Sequence, residues 1–395
     1  MSGTTKSRRP LSVLIILLTV ACVYTQQPAQ RPRRVGGSEQ TTEAKKGSEE
    51  VDEGDVIRTD TQLVSVPAVV TDSSGRPLSG LKPENFRLIE DGQPQTISNF
   101  GTTETPFEIA LLLDTSGSTR DDVALIRSAA NSFIEALRAG DRVGIVAFNQ
   151  ATGFGDPVAT VEVLAPLTGD REALRAAIDN LGASQGTPYY DGLERVADGI
   201  FSAPPKEDVR GRRAVVALTD GVDSSSNSDF AAAKMKLSQA GIACYFIQVN
   251  TEDFVEDRLM KDCQDDGQLS LSKRQIERYR RIFFPKAKEE SFDSFCKMGP
   301  FERMSISREL YNLARREMND LARVSGGRSF EAATLADARA AFARVAADIG
   351  TQYSLGYYPT NKARDGKFRS IKLEVRGLKE KAQIRARDGY YAPKQ

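Results

Sequence analysis

The stretch FEIALLLDTSGS, residues 107–118, decides the fold of this chain. Ile109–Leu113 is an unbroken apolar run without the polar alternation of a half-exposed strand. It therefore predicts a strand of a parallel sheet that is buried on both faces. Asp114, Ser116 and Ser118 follow this strand in a tight turn that contains a glycine. Because ligands bind beyond the carboxyl ends of such strands, the turn is a candidate site.

Apolar strands and amphipathic helices alternate after Phe107, which predicts a doubly wound, Rossmann-like α/β domain at residues 105–350. The candidate strands are Ile109–Leu113, Val143–Phe148, Ala214–Leu218 and Cys244–Val249, with Val161–Leu164 as a polar edge strand. The candidate helices are Val123–Arg138, Arg171–Leu181, Tyr190–Ser202, Phe230–Ala240, Leu310–Val324 and Leu335–Ile349.

A charged stretch at residues 251–309 interrupts this alternation, and its Phe-Phe-Pro cluster has no clear period. We predict an insertion, for which a surface excursion is favoured over a dedicated binding subdomain. The insertion holds Cys263 and Cys296, which are candidates for a disulfide in an oxidising compartment. Cys244 lies in an apolar strand and is predicted to be a buried, inert thiol.

Shorter strand patterns flank the α/β domain on both sides, at residues 61–104 and 351–395. Each flank has too few strands to be stable alone. A buried parallel sheet also offers no simple place for them. We therefore predict that the two flanks pair with each other as one small β-sandwich, into which the α/β domain is inserted.

The N-terminus has the pattern of an export signal. Basic residues precede an apolar run, Leu11 to Val23, which is short for a membrane helix of about 20 residues. We assign residues 1–25 as a signal peptide and the polar residues 26–60 as a disordered linker. The sequence ending at Cys22 is similar to a bacterial lipoprotein box, so lipidation of Cys22 is an alternative to simple secretion or to a retained N-terminal anchor. These outcomes all predict an exported chain in the periplasm, the cell envelope or the extracellular space, with the membrane contacted through the signal segment or a lipid anchor.

Composition restricts the chemistry that is available. The 395 residues include no histidine, which excludes Ser-His-Asp triads and histidine-based metal sites. Lys plus Arg and Asp plus Glu both number 54, so no net field indicates a nucleic-acid partner. Partners must therefore be inferred from a site.

Two further residues extend the candidate site. Thr187 precedes a predicted helix, and Asp220 follows a predicted strand. With Asp114, Ser116 and Ser118 they form an oxygen-only set with few charges, which suits a hard cation. We expect Mg²⁺, with Mn²⁺ or Ca²⁺ as alternatives. Helix capping and turn chemistry would also account for some of these residues.

These five residues, in this order and spacing across Phe107–Phe330, resemble the von Willebrand factor A (VWA) family. The resemblance implies a metal-ion-dependent adhesion site in which three residues coordinate the metal directly: Ser116, Ser118 and Thr187. It implies that two others act largely through water: Asp114 and Asp220. It also implies that a change of ligand shifts the last helix, here Leu335–Ile349.

The flanks carry a finer resemblance. Val69–Asp72, Tyr357–Thr360 and Ala386–Tyr391 resemble the VWFA-related domain proteins found mainly in Acidobacteria. Asn85 departs from that family, which more often has aspartate before the following phenylalanine. The long insertion at 251–309 is the larger departure.

The site predicts a binding function. A metal held by neutral hydroxyls keeps more positive character than one ligated by aspartates, so it binds a carboxylate readily. We expect an exported adhesion module, not an enzyme, whose protein partner offers an Asp or Glu side chain. The alternatives are a structural envelope protein with an unused metal site and a metal-dependent hydrolase, which lacks a histidine base. The rim residues that are candidates for partner choice are Thr119, Arg120, Phe154, Tyr189, Tyr190 and Asp223.

Overall fold

The computed structural model describes residues 63–116, 123–151, 158–261, 271–286, 298–378 and 381–394. The strands in these ranges are β1 (Val64–Thr71), β2 (Phe86–Glu90), β3 (Gln93–Gln95), β4 (Ile97–Gly101), β5 (Glu108–Leu113), β6 (Arg142–Ala151), β7 (Val158–Thr168), β8 (Arg213–Thr219), β9 (Ala243–Val249), β10 (Arg328–Ala332), β11 (Tyr353–Tyr357), β12 (Phe368–Val375), β13 (Gln383–Ala386) and β14 (Gly389–Tyr391). The α-helices are α1 (Val123–Ala136), α2 (Arg171–Asp179), α3 (Tyr189–Arg195), α4 (Phe230–Gln239), α5 (Glu252–Lys261), α6 (Lys273–Phe283), α7 (Pro300–Ser325) and α8 (Ala338–Gly350).

Several predictions concern residues outside these ranges. They are the signal peptide 1–25, the linker 26–60, Cys22, Ser118, Thr119, Arg120, Phe154, Cys263 and Cys296. All of these stay predictions.

Strand β5 lies inside a six-stranded sheet of order β10-β9-β8-β5-β6-β7. It pairs in parallel with β6 on one side and with β8 on the other. The long strand β7 runs antiparallel to β6 and forms one edge, as the polar pattern of Val161–Leu164 predicted. Both backbone edges of β5 are therefore hydrogen-bonded, and its side chains reach only the two faces of the sheet.

Both faces of the sheet are covered by helices, which explains the unbroken apolar run in β5. Ile109, Leu111 and Leu113 pack in one core with side chains of α1, α2 and α8. Ala110 and Leu112 pack in a second core with side chains of α3, α4 and α7. All five residues are fully buried. The predicted doubly wound α/β domain is confirmed.

The flanking strands form two antiparallel sheets, and each sheet contains strands from both ends of the chain. Their orders are β13-β1-β11-β4 and β14-β12-β2-β3. In the first sheet, β1 lies between two C-terminal strands, with Val66 opposite Leu355. One apolar core contains side chains from both sheets, including Val66, Leu88 and Tyr353. The predicted architecture, a doubly wound α/β domain inserted in a small β-sandwich, is therefore confirmed.

The boundaries of some elements differ from the predictions. Helix α7 begins at Pro300, so the predicted start at Leu310 is too late. Gly299 precedes this helix in an extended conformation and Pro300 occupies its first position, an arrangement that favours a helix start. Strand β10 was not predicted, because only two of its five residues are buried and the segment carries Arg328 and Glu331.

The described part of the predicted insertion 251–309 is helical. Helices α5 and α6 and the first turns of α7 share a small apolar core, which includes Leu259, Ile276 and Leu310. Val222, in the loop after β8, belongs to the same core. The insertion helices are thus packed against the loop that carries Asp220.

Three arginines connect the β-sandwich to the α/β domain through backbone carbonyls. Arg212 and Arg387 are almost completely buried, and Arg385 is partly buried. Their acceptors are the carbonyls of Ile349 and Gln352 for Arg212, of Gly326 and Gly327 for Arg385, and of Ser65, Ser238 and Gly389 for Arg387. Carbonyls at the end of one element thus accept hydrogen bonds from a charged group on another.

We expect Arg387→Ala to destabilise the protein by about 3 kcal/mol, because it leaves three carbonyls without their charged donor. Urea unfolding measures the loss. Arg76→Ala is the matched control, since the Arg76 side chain is 82% exposed and its ion pair is with Asp72. Equal stability of the Arg387→Ala variant and the wild type would contradict the structural role of this arginine.

Candidate metal site

Asp114 lies at the carboxyl end of β5 and is buried. Strands β5 and β8 are neighbours in register, with Leu113 opposite Leu218, so the residues that follow both strands meet at one edge of the sheet. The backbone N–H of Ser116 donates to Oδ1 of Asp114 at 3.0 Å. The hydroxyl of Thr219 donates to Oδ2 at 2.6 Å. Both carboxylate oxygens are therefore held in place.

The intervening Thr115 points away from this edge. Its hydroxyl donates to the carbonyl of Phe148 at 2.7 Å, on the neighbouring strand β6. Asp114 and Ser116 thus share one side of the turn, and the backbone N–H of Ser116 joins them. This alternation separates the candidate ligands from the residue that anchors the turn.

Asp220 lies directly after β8 and is also buried. The backbone N–H of Val222 donates to its Oδ1 at 3.0 Å. The hydroxyl of Thr251, which follows the next strand β9, donates to its Oδ2 at 2.6 Å. Side chains after three adjacent strands, β5, β8 and β9, therefore contribute to one polar edge.

Thr187 is brought to this edge by a loop that precedes α3. The backbone N–H of Ser184 donates to the carbonyl of Thr115 at 2.9 Å. The N–H of Thr187 donates to the hydroxyl of Ser224 at 2.8 Å, and the N–H of Ser224 donates back to the carbonyl of Thr187 at 3.0 Å. The loop is thus fastened both to the turn after β5 and to the loop after Asp220.

The electrostatics of the site favour a cation. Burial, followed by repulsion from Asp220, raises the pKa of Asp114 from 3.8 to about 7. A nearby divalent cation favours the ionised form of such a carboxylate. In the described part of the chain, no group of three or more cysteine, aspartate and glutamate side chains is placed to hold a metal. Two carboxylates with hydroxyl oxygens are the donor set that is present, and it fits Mg²⁺, which keeps several waters.

The structure thus brings four of the five predicted ligands to one edge of the sheet: Asp114, Ser116, Thr187 and Asp220. Ser118 lies outside the described residues. Sequence reasoning missed Thr219 and Thr251. A usable signal was present for both, since each is a polar residue at or just beyond the carboxyl end of an apolar strand.

The predicted rim position of three residues is wrong. Tyr189 and Tyr190 are each 1% exposed and pack in the core beneath α3. Asp223 is buried too, and it accepts hydrogen bonds from the backbone N–H of Tyr189 at 2.9 Å and from the hydroxyl of Ser226. Burial raises the pKa of Asp223 to about 6. Its contact with the first turn of α3 makes it a helix-capping group.

A doubly wound sheet with hydroxyl and carboxylate side chains at its carboxyl edge defines the class of this domain. Residues 108–273 match the model of the von Willebrand factor type A domain. The chain therefore carries a VWA domain, a class that commonly mediates protein–protein interaction. The finer resemblance to VWFA-related proteins stays a prediction.

Solved structures that match this chain include one titled von Willebrand factor type A from Catenulispora acidiphila. It is 12% identical over 86% of this chain and 75% of its own, with a TM-score of 0.39. Two structures of proximal thread matrix protein 1 from the mussel byssus are 14% and 20% identical to this chain, with TM-scores of 0.35 and 0.31. These matches cover 61% and 37% of this chain, and 47% and 38% of the mussel chains. No curated protein matches the sequence.

Two remaining sequence features concern cysteine and membranes. Cys244 is a buried free thiol, as predicted, and burial raises its pKa to about 12. Among the described helices, none has both the length and the apolar character needed to cross a bilayer.

We expect the metal-free protein to lose stability as the pH rises from about 4 to about 7, because the folded state resists ionisation of Asp114. The cost is absent below the unfolded pKa and complete above the folded pKa. Asp114→Asn removes this ionisable group, so its metal-free stability should depend less on pH. Thermal unfolding in a chelator at pH 5 and pH 7.5 checks this. Parallel pH dependence of the two proteins would contradict the raised pKa.

Proposed function

We propose that this chain is an exported binding module that holds Mg²⁺ at the edge formed by β5 and β8 and captures a carboxylate of a partner protein. The observation that carries this proposal is the pairing of Asp114 with Asp220, two buried carboxylates close enough to repel each other. Burying like charges together is unfavourable unless a cation accompanies them. The surrounding hydroxyls supply neutral oxygens for the same ion.

The residues have distinct roles in this proposal. The hydroxyls of Ser116, Ser118 and Thr187 would hold the ion directly, while Asp114 and Asp220 would supply negative charge and act largely through water. When bound, Mg²⁺ supplies a positively charged position that an Asp or Glu side chain of the partner completes. The contacts of Thr219 and Thr251 orient the two carboxylates, and the loop containing Thr187 closes the remaining side.

Catalysis is the competing proposal, and two features disfavour it. The chain has no histidine to act as a general base. Asp223, a buried acidic residue in the loop after Asp220, already accepts hydrogen bonds from Tyr189 and Ser226. We therefore propose binding as the function, with a structural envelope protein as the second alternative.

Export supports an adhesive role. The apolar run Leu11 to Val23 behind basic residues is the feature that predicts it. The chemistry of the site is compatible with such a compartment, since Mg²⁺ and carboxylates need no reducing environment. We propose a location in the periplasm, the cell envelope or the extracellular space.

We expect Mg²⁺ to stabilise the wild type, by about 2.7 kcal/mol at a concentration 100-fold above its Kd. Thr187→Ala should weaken Mg²⁺ binding about 10-fold or more, because it removes a coordinating hydroxyl. Thr187→Ser keeps that hydroxyl and is the matched control. Calorimetric titration with Mg²⁺ measures all three proteins. A Thr187→Ala variant that binds like Thr187→Ser would rule out this residue as a ligand.

We further expect the purified mature protein to capture a partner from a cell-envelope extract only when Mg²⁺ is present. Asp114→Ala and Thr187→Ala should both abolish capture, whereas Thr187→Ser should retain it. Pull-down with and without a chelator, followed by mass spectrometry, provides the measurement.

Each competing function predicts another result in the same assay. Capture that is insensitive to the chelator and to both alanine variants would favour a structural role with an unused site. Metal-dependent turnover of peptide or phosphoester substrates by the same preparation would favour an enzyme.

A further inference from the structure

A chain of two hydroxyl groups connects Asp220 to helix α7. The hydroxyl of Thr251 lies 2.6 Å from Oδ2 of Asp220 and 2.8 Å from the hydroxyl of Tyr311. All three residues are buried, with exposures of 6%, 5% and 4% for Thr251, Asp220 and Tyr311. No water is needed to complete this chain, because each contact is within direct hydrogen-bond distance.

The direction of the hydrogen bonds follows from the chemistry of the groups. An ionised carboxylate only accepts, so the single proton of the Thr251 hydroxyl is donated to Asp220. The phenol of Tyr311 must then donate to the oxygen of Thr251. Burial and the charge of Asp220 raise the pKa of Tyr311 well above 10.0, so this phenol stays protonated and remains a donor. In a chain of hydrogen bonds that ends on a carboxylate, each bond polarises and strengthens the next.

A second contact fixes the same segment to the same helix. The guanidinium group of Arg315 lies 2.9 Å from Oε2 of Glu252, the residue after Thr251. Tyr311 and Arg315 are four residues apart on α7 and therefore lie on one face of the helix. The segment between β9 and α5 is thus held against α7 by the side chains of Tyr311 and Arg315.

We propose that Thr251 and Tyr311 are positioning residues for the metal site, through which helix α7 sets the orientation of the Asp220 carboxylate. This inference rests on the proposed Mg²⁺-binding function. The backbone N–H of Val222 holds Oδ1 of Asp220, and the Thr251 hydroxyl holds Oδ2. With both oxygens held by the protein, the plane of the Asp220 carboxylate is set by Val222 and Thr251.

The proposal also gives the insertion helices a role at the site. Tyr311 belongs to the apolar core that α7 shares with α5 and α6, and Val222 belongs to it as well. The residues on both sides of Asp220 in this network, Val222 and Tyr311, therefore pack in one cluster. The packing of that cluster sets the position of the Tyr311 phenol. Through Thr251, it therefore also sets the orientation of the Asp220 carboxylate.

The test compares Mn²⁺ affinity, measured by electron paramagnetic resonance, in the full mature protein and four variants. Tyr311→Phe removes one hydroxyl and keeps the ring, and Thr251→Val removes the other hydroxyl at nearly constant volume. Both should bind Mn²⁺ about 10-fold more weakly than the wild type, the size expected for residues that orient a metal-bound group. Thr251→Ser restores the hydroxyl and should bind like the wild type.

Tyr245→Phe is the control for loss of a buried phenol. Tyr245 is fully buried and its hydroxyl contacts Asp348 at 3.0 Å, but it lies near the start of β9 rather than beyond its end. It should leave Mn²⁺ affinity unchanged. Thermal unfolding of all variants in a chelator separates a loss of Mn²⁺ affinity from a loss of folding. If Thr251→Val does not fold, the Mn²⁺ affinity of Tyr311→Phe alone tests the proposal.

The outcomes are distinct. Wild-type affinity in Tyr311→Phe, or equal weakening in Thr251→Ser and Thr251→Val, overturns the positioning role while the metal site stands. Equal weakening in Tyr245→Phe overturns it as well, because the effect would then be general. A wild type that binds no Mn²⁺ overturns the proposed function itself, and the inference with it.

Discussion

The burial of strand β5 on both edges and both faces is the constraint on which the rest of the structure depends. Its N–H and C=O groups are satisfied by β6 and β8, and its side chains Ile109–Leu113 are fully buried. Polar side chains can therefore be accommodated only at the ends of this strand. Asp114 is the first residue beyond the apolar run, which explains why the candidate site lies at this edge rather than on a face of the sheet.

The insertion of one domain into another is possible because the two connections lie side by side. Strand β4 leads into the α/β domain and β11 leads out of it, and the two strands pair, with Gly101 opposite Ser354. Arg138 of the α/β domain donates to the carbonyls of Thr103 and Gly350, one on each connection. A domain whose ends are this close can be inserted into a loop with little distortion of the host sheet.

How much could be predicted from the sequence depends on how local each signal is. The strand Ile109–Leu113 and the site residues after it could be predicted, because a buried strand and its end form a short, continuous sequence pattern. Strand β10 was missed because an edge strand of five residues resembles ordinary surface. The buried position of Tyr189 and Tyr190 was missed because both follow a loop in sequence, although α3 turns them into the core. Tyr311 had no signal, since its meeting with Thr251 depends on how α7 packs.

The contacts at the end of α8 bear on the helix shift that the VWA resemblance implies. The carboxylate of Asp348 accepts from the hydroxyl of Tyr245 and from the guanidinium of Arg385, and the carbonyl of Ile349 accepts from Arg212. Hydrogen bonds to charged groups contribute about 1.5–3 kcal/mol each. An axial shift of α8 alone would break all three of these bonds. A ligand can shift the equilibrium between two positions of a helix only by the difference in its binding free energy for the two states. Because Arg385 lies on β13 and Arg212 lies directly before β8, a shift that keeps these contacts must carry part of the β-sandwich and the central sheet with it. The arginines therefore oppose independent movement of α8 and favour a response confined to the loops around Asp114 and Asp220.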